Sequence, residues 1–141
     1  MMANPDLELQ QAVIAALEGD AALMEVVHGV YDSAKAASDG APWGEQQGYV
    51  SLGPEDELED HHDCFTIEEI TVQIDCWSKK PGRVHTKQIL RAVRNVLSGA
   101  ELPLPSFGNV LTELELQRIV PDPEEGVTHG ILQFTFEIQV Y

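Results

Sequence analysis

The order of periodic segments predicts an α+β domain, a mainly antiparallel sheet of four to five strands with helices packed on one face. Three observations carry this expectation. Apolar and polar residues alternate from Phe65 to Trp77 and again from Leu132 to Val140, the period of half-buried strands. The turn-forming run Pro121-Asp122-Pro123-Glu124-Glu125-Gly126 joins that last strand to one marked by Val110, Thr112, Leu114, Leu116 and Val120, as in an antiparallel hairpin. Helical periodicity is confined to two stretches near the N-terminus and one in the middle.

Each element has its own local reason. Asn4 as N-cap, Pro5 at the first helical position and Asp6 beside the helix dipole start a helix. Leu9, Ala12, Val13, Ala16 and Leu17 form its apolar stripe, and Gly19 ends it. Asp20 can cap a short second helix carrying Leu23, Met24 and Val27, with Gly29 as its stop. Val30 and Tyr31 open a brief strand, and residues 32–47, rich in Ala, Ser, Gly and Gln, read as a mobile loop. Trp43 in that loop is either folded back on the core or held out as a partner contact. Gly48 to Gly53 reads as a short strand, and the acidic residues 54–63 as a second mobile loop that cannot pack inside. In the long strand after it, Phe65 and Ile67 sit on the opposite parity from Ile70, Val72, Ile74 and Cys76, which suggests a bulge at Glu68-Glu69. Lys79-Lys80-Pro81-Gly82 breaks that strand. A helix follows, burying Ile89, Leu90, Val93, Val96 and Leu97 and closed by Ser98-Gly99.

At 141 residues the chain is expected to form one domain, 1–141, with a single core. Its charge is lopsided: 24 acidic residues against 8 basic ones, a formal net charge of −16. Such a field opposes general affinity for nucleic acid or membrane surfaces and keeps a subunit dispersed before assembly. No apolar run reaches the ~20 residues of a membrane span, and the N-terminus lacks a basic-then-apolar signal pattern. The chain is therefore expected to be made and used without export, and Cys64 and Cys76 to stay reduced.

The cations are not scattered. Lys79, Lys80, Arg83, Lys87, Arg91 and Arg94 fall in one stretch without an acidic residue. Lys80, Arg83, Lys87, Arg91 and Arg94 recur at steps of three or four, within roughly 80° on a helix. Three readings stay open: a solvated face paired locally, a seam against the acidic Glu55, Asp56, Glu57, Glu59 and Asp60 of a neighbouring copy, or a contact with DNA phosphates.

Catalytic and ligand motifs point nowhere. His61-His62-Asp63-Cys64 has metal-binding residue types, but neighbours on an extended chain point to opposite sides and no second cluster has ligand spacing. Neither a nucleophile elbow nor a phosphate-cradling glycine loop occurs, and neither cysteine has a base on a recognisable motif. No catalytic residue, cofactor or metal is expected.

Larger pieces carry a family resemblance. An N-terminal helix, Leu7 to Leu17, precedes a short Ala/Leu-rich helix and a Val-Tyr strand start. Then come Tyr49-Val50-Ser51-Leu52-Gly53 and Ile74-Asp75-Cys76-Trp77-Ser78, followed by a basic, glycine-containing break and a helix ending Ala92-Val93-Arg94-Asn95-Val96-Leu97. Near the end stand Pro121-Asp122-Pro123 and Thr128-His129-Gly130. Over most of its length the chain resembles the tail-completion, or tail-terminator, proteins of long-tailed bacteriophages and gene-transfer particles. It departs from that pattern at Gly48, where many members have proline, and in its long acidic 54–63 segment.

The resemblance implies a non-enzymatic virion protein, assembled in the host cytoplasm. It would form a ring of six copies at the head-proximal end of the tail, stop tube growth and join tail to head. Partners would be other copies, the tail-tube protein and the head connector or stopper protein, with genomic DNA only a weak passing contact in the channel and no membrane. The alternatives are another neck ring, a connector or stopper, and a small DNA-binding regulatory domain.

Overall fold

A computed structural model describes residues 4–34, 41–108 and 110–140. In chain order the elements are α1 (Asp6–Glu18), α2 (Ala21–Val26), β1 (Val30–Tyr31), β2 (Gly48–His61), β3 (Thr66–Ser78), α3 (Val84–Leu97), β4 (Val110–Pro121) and β5 (Thr128–Val140). The five strands form one sheet in the order β1-β2-β3-β5-β4. β1 runs parallel to β2, and every other pairing is antiparallel. The α+β architecture is the one the periodicities predict.

One face of the sheet makes the core. Ile70, Val72, Ile74 and Cys76 of β3 and Leu132, Phe134, Phe136 and Ile138 of β5 are buried together with Leu9, Val13 and Leu17 of α1, Leu23 of α2 and Ile89, Leu90, Val93 and Leu97 of α3. The first two helices start at local polar caps. Asn4 Oδ1 accepts the Asp6 amide at 2.9 Å, and Asp20 Oδ2 accepts that of Leu23 at 2.9 Å. Pro5 occupies the N-cap of α1, one position outside the first helical turn where the sequence reading put it.

Three expectations need correction. The segment 54–63 is not a loop as far as His61: β2 runs on through it, with Glu55 to His61 registered against Val72 to Thr66. Its side chains are exposed, as their charge demands, but an edge strand needs only backbone partners. β3, held straight on its other side by β5, supplies them. The bulge lies at Gly53-Pro54 of β2, not at Glu68-Glu69. Proline, lacking an N–H, fits a bulge, and a Cβ at Gly53 would stand 2.6 Å from Asp75 Oδ2. β3 keeps unbroken register with β5 from Thr66 to Ser78, so Glu68 faces inward on the parity of Ile70. In the 32–47 segment, residues 35–40 lie outside those described, while Trp43, Gly44, Gln47 and Gly48 close a hydrogen-bonded turn into β2.

The face of the sheet away from the helices carries a cross-strand ladder. Thr71 and Thr135 hydroxyls lie 3.0 Å apart, and His129 Nε2 meets Asp75 Oδ1 at 2.6 Å. Trp77 stacks on the His129 ring at 3.9 Å and donates its indole N–H to Ser51 Oγ at 3.0 Å. Cys76 is buried and free, whereas Cys64 is exposed in the turn between β2 and β3.

Candidate functional site

α3 is amphipathic because two periodic sets share it: Ile89, Leu90, Val93 and Leu97 face the sheet, while Lys87, Arg91 and Arg94 face out. The helix begins at Val84, so Lys80 stands in the preceding turn and Arg83 at the N-cap. All five predicted cations are exposed. Among the described residues none of them ion-pairs within the chain. Arg94 alone is tethered, through Nη1 to Gln117 Oε1 at 3.0 Å. Lys87, Arg91, Arg94, Asn95, Ser98 and Gln117 line a groove of about 680 Å³ suited to an anionic group.

The start of α3 is fixed by His85, which is buried. Its Nδ1 lies 2.6 Å from Ser78 Oγ and its Nε2 2.7 Å from the Val26 carbonyl. The ring therefore clamps the end of β3, the end of α2 and the head of α3 together. A neutral ring donating from Nε2 to Val26 and accepting at Nδ1 from Ser78 satisfies both contacts. Burial holds its pKa below the usual histidine value. No local sequence pattern signals this clamp, because its partners are 7 and 59 residues away.

The acidic residues occupy the other end of the sheet. β2 and β3 pair antiparallel, so Leu58 stands opposite Glu69, nine residues from Ser78 along β3, or roughly 30 Å. Strand alternation splits the acids between faces: Glu55, Glu57 and Glu59 lie on the helix side, Asp56 and Asp60 on the other. Glu59 is directly opposite the buried Glu68. Burial, then the nearby Glu57 and Glu59 carboxylates, push the Glu68 pKa up to about 7. Glu55 is also raised, by burial first and by Asp6 and Glu57 after it. This end of the molecule is crowded with negative charge that no described cation offsets. His61 and His62 reach back to Glu59 at 3.1 Å and Asp60 at 3.3 Å.

Trp43 folds back: its ring stands edge-on to Tyr49 with centroids 4.9 Å apart, under the Lys79 ammonium at 4.5 Å, and it stays half-buried. No group of three described His, Cys, Asp or Glu residues is placed to hold a metal ion. No described helix is long and apolar enough to cross a membrane.

Residues 11–139 match the family model for the tail completion protein gp17. The chain belongs to the gp17 tail-completion family. Two solved structures share its fold. One is a chain of the virion of a native gene transfer agent particle, 24% identical, with 96% of this chain and 97% of that chain covered and a TM-score of 0.81. The other is the bacteriophage SPP1 gp17 protein, 23% identical, with 92% and 88% covered and a TM-score of 0.62. No curated protein matches the sequence. The gp17-family match spans α3 and the sheet up to the penultimate residue of β5.

Proposed function

We propose that this tail-completion protein acts by assembly alone, as a ring of six copies at the head-proximal end of a virion tail. It ends growth of the tail tube and offers its other rim to the head connector. In each seam, α3 of one copy, with Arg83, Lys87, Arg91 and Arg94, meets the acidic half of β2 of the next. Lys80 joins from the turn before α3.

The observation that carries this reading is the separation of charge. Exposed cations with no ion pair among the described residues stand on the helix layer, and the edge strand bearing Glu55, Asp56, Glu57, Glu59 and Asp60 lies at the far end of the sheet. A closed ring of head-to-tail contacts requires two unlike, complementary patches on one chain. Complementary charge of this kind sets register and partner choice more than it sets affinity. A net charge of −16 opposes retention of DNA passing through the channel.

Light scattering across protein and salt concentration, with and without tail-tube protein, tests it. The expected result is a discrete oligomer that weakens with salt, and that Arg83→Glu/Lys87→Glu/Arg91→Glu abolishes without lowering the melting temperature. A chain that stays monomeric under every condition, tail-tube protein included, refutes the reading. So does a triple variant that assembles normally and loses only DNA retention.

A further inference from the structure

The seam also has an apolar centre. Resting on the assembly reading above, we infer that Leu58 of one copy is a knob that enters the groove between α2 and α3 of the next. Leu58 is 67% exposed at the middle of Glu55-Asp56-Glu57-Leu58-Glu59-Asp60, an apolar side chain with nothing local to gain from that position. Alternation puts it on the sheet face away from the helices, between Asp56 and Asp60 and across from Glu69. It is therefore an apolar point framed by carboxylates.

The helix layer carries the inverse pattern. A groove of about 460 Å³ runs between α2 and α3, lined by the apolar Ala22, Val26, Val84 and Ala92, by the cations Lys87 and Arg91, and by Gln88 and Asn95. Val84 is 71% exposed there. The groove is preformed, because His85 ties the Val26 carbonyl to the head of α3. An apolar knob within an anionic frame matches an apolar hole within a cationic frame in shape and in charge. Buried apolar anchors ringed by polar contacts are where interfaces concentrate their binding energy.

The occupant is a second copy and not the same chain. Leu58 lies on the sheet face opposite the helices, and its register partner Glu69 is nine residues from Ser78, the end of β3 clamped to α3. The contact is heterologous, knob to hole, which propagates around a ring. A self-complementary pairing of two β2 edges would set like charges against each other, Glu55 to Asp60 against the same residues.

Cysteine cross-linking tests this directly. In a Cys64→Ser background, Leu58→Cys combined with Gln88→Cys, on the groove lining, is expected to give a disulfide ladder ending at the closed ring on non-reducing gels. Each single variant should stay monomeric on the same gels. Leu58→Ser, which leaves the charge untouched, is expected to weaken assembly tenfold or more with an unchanged monomer melting temperature. Rings that form with no ladder, or that ignore Leu58→Ser, overturn the knob and leave the charged seam standing. Cross-linked dimers from Leu58→Cys alone overturn it in favour of strand-edge pairing. A chain that never assembles, even with tail-tube protein, overturns both.

Discussion

Replacing Glu68 with glutamine should stabilise the isolated chain at pH 8 and leave it nearly unchanged at pH 4.5. Glu68 is 4% exposed and faces Glu59 across the β2–β3 ladder. Its pKa rises from the ordinary 4.5 to about 7, through burial first and then through Glu57 and Glu59. In the folded chain it holds a proton that the unfolded chain has already released between those two values. Stability therefore falls as pH climbs through that window, and the loss is complete above about 7. At about 1.4 kcal/mol per pKa unit the interval corresponds to about 3 kcal/mol. Salt screening of the exposed Glu57 and Glu59 brings the expected effect nearer to about 2 kcal/mol. Urea unfolding of wild type and Glu68→Gln at pH 4.5, 6, 7 and 8 measures it. The gap between the two curves should open with pH and level off above 7. A gap that is the same at every pH would falsify the view that a strained carboxylate sits inside the acidic end of the sheet.

Other substitutions probe other parts of the scaffold. His85→Ala leaves Ser78 and the Val26 carbonyl without their buried partner and should cost about 2–3 kcal/mol in denaturant unfolding. Because burial depresses the His85 pKa, its contribution is present above the unfolded value near 6.5 and is lost as pH falls below it. Wild type should lose stability as pH falls below 6.5 in excess of the alanine variant, and parallel losses would contradict the clamp. Gly53→Ala drives a Cβ to 2.6 Å from Asp75 Oδ2, so either the β2 bulge or the Asp75 carboxylate, held by His129, must shift; about 1–3 kcal/mol of lost stability is expected, and a neutral result would mean that one of them moves freely. A thiol reagent should label Cys64 at once and Cys76 only after unfolding, since burial shields the Cys76 thiol and raises its pKa; equal labelling rates in the native chain would contradict that burial.

Much of the fold was legible because it rests on periodicity. Ile70, Val72, Ile74 and Cys76 declare one face of β3, and Leu132 to Val140 one face of β5, before any contact is known. α3 was equally plain, since its cations and its apolar residues each keep the helical step. β2 was read short because Glu55 to Asp60 offer no alternating apolar face. That half of the strand is held by backbone bonds to β3, which composition does not encode. Glu68 was misplaced for a related reason: a carboxylate on the inward parity looks like a break in the strand, yet β5 pairs straight through it. The cations and acids of the candidate seam were visible as charge runs. The α2–α3 groove was not, because Ala22, Val26, Val84 and Ala92 come together only once His85 binds across 59 residues to Val26.

A reconstruction of the particle neck at side-chain detail bears most directly on the charged seam. Lys87 and Arg91 of each copy should lie within ion-pair distance of the acidic strand of the next, with Leu58 of that strand seated between α2 and α3. Finding Lys80, Arg83, Lys87, Arg91 and Arg94 all facing open solvent, away from every neighbouring chain, would contradict the account.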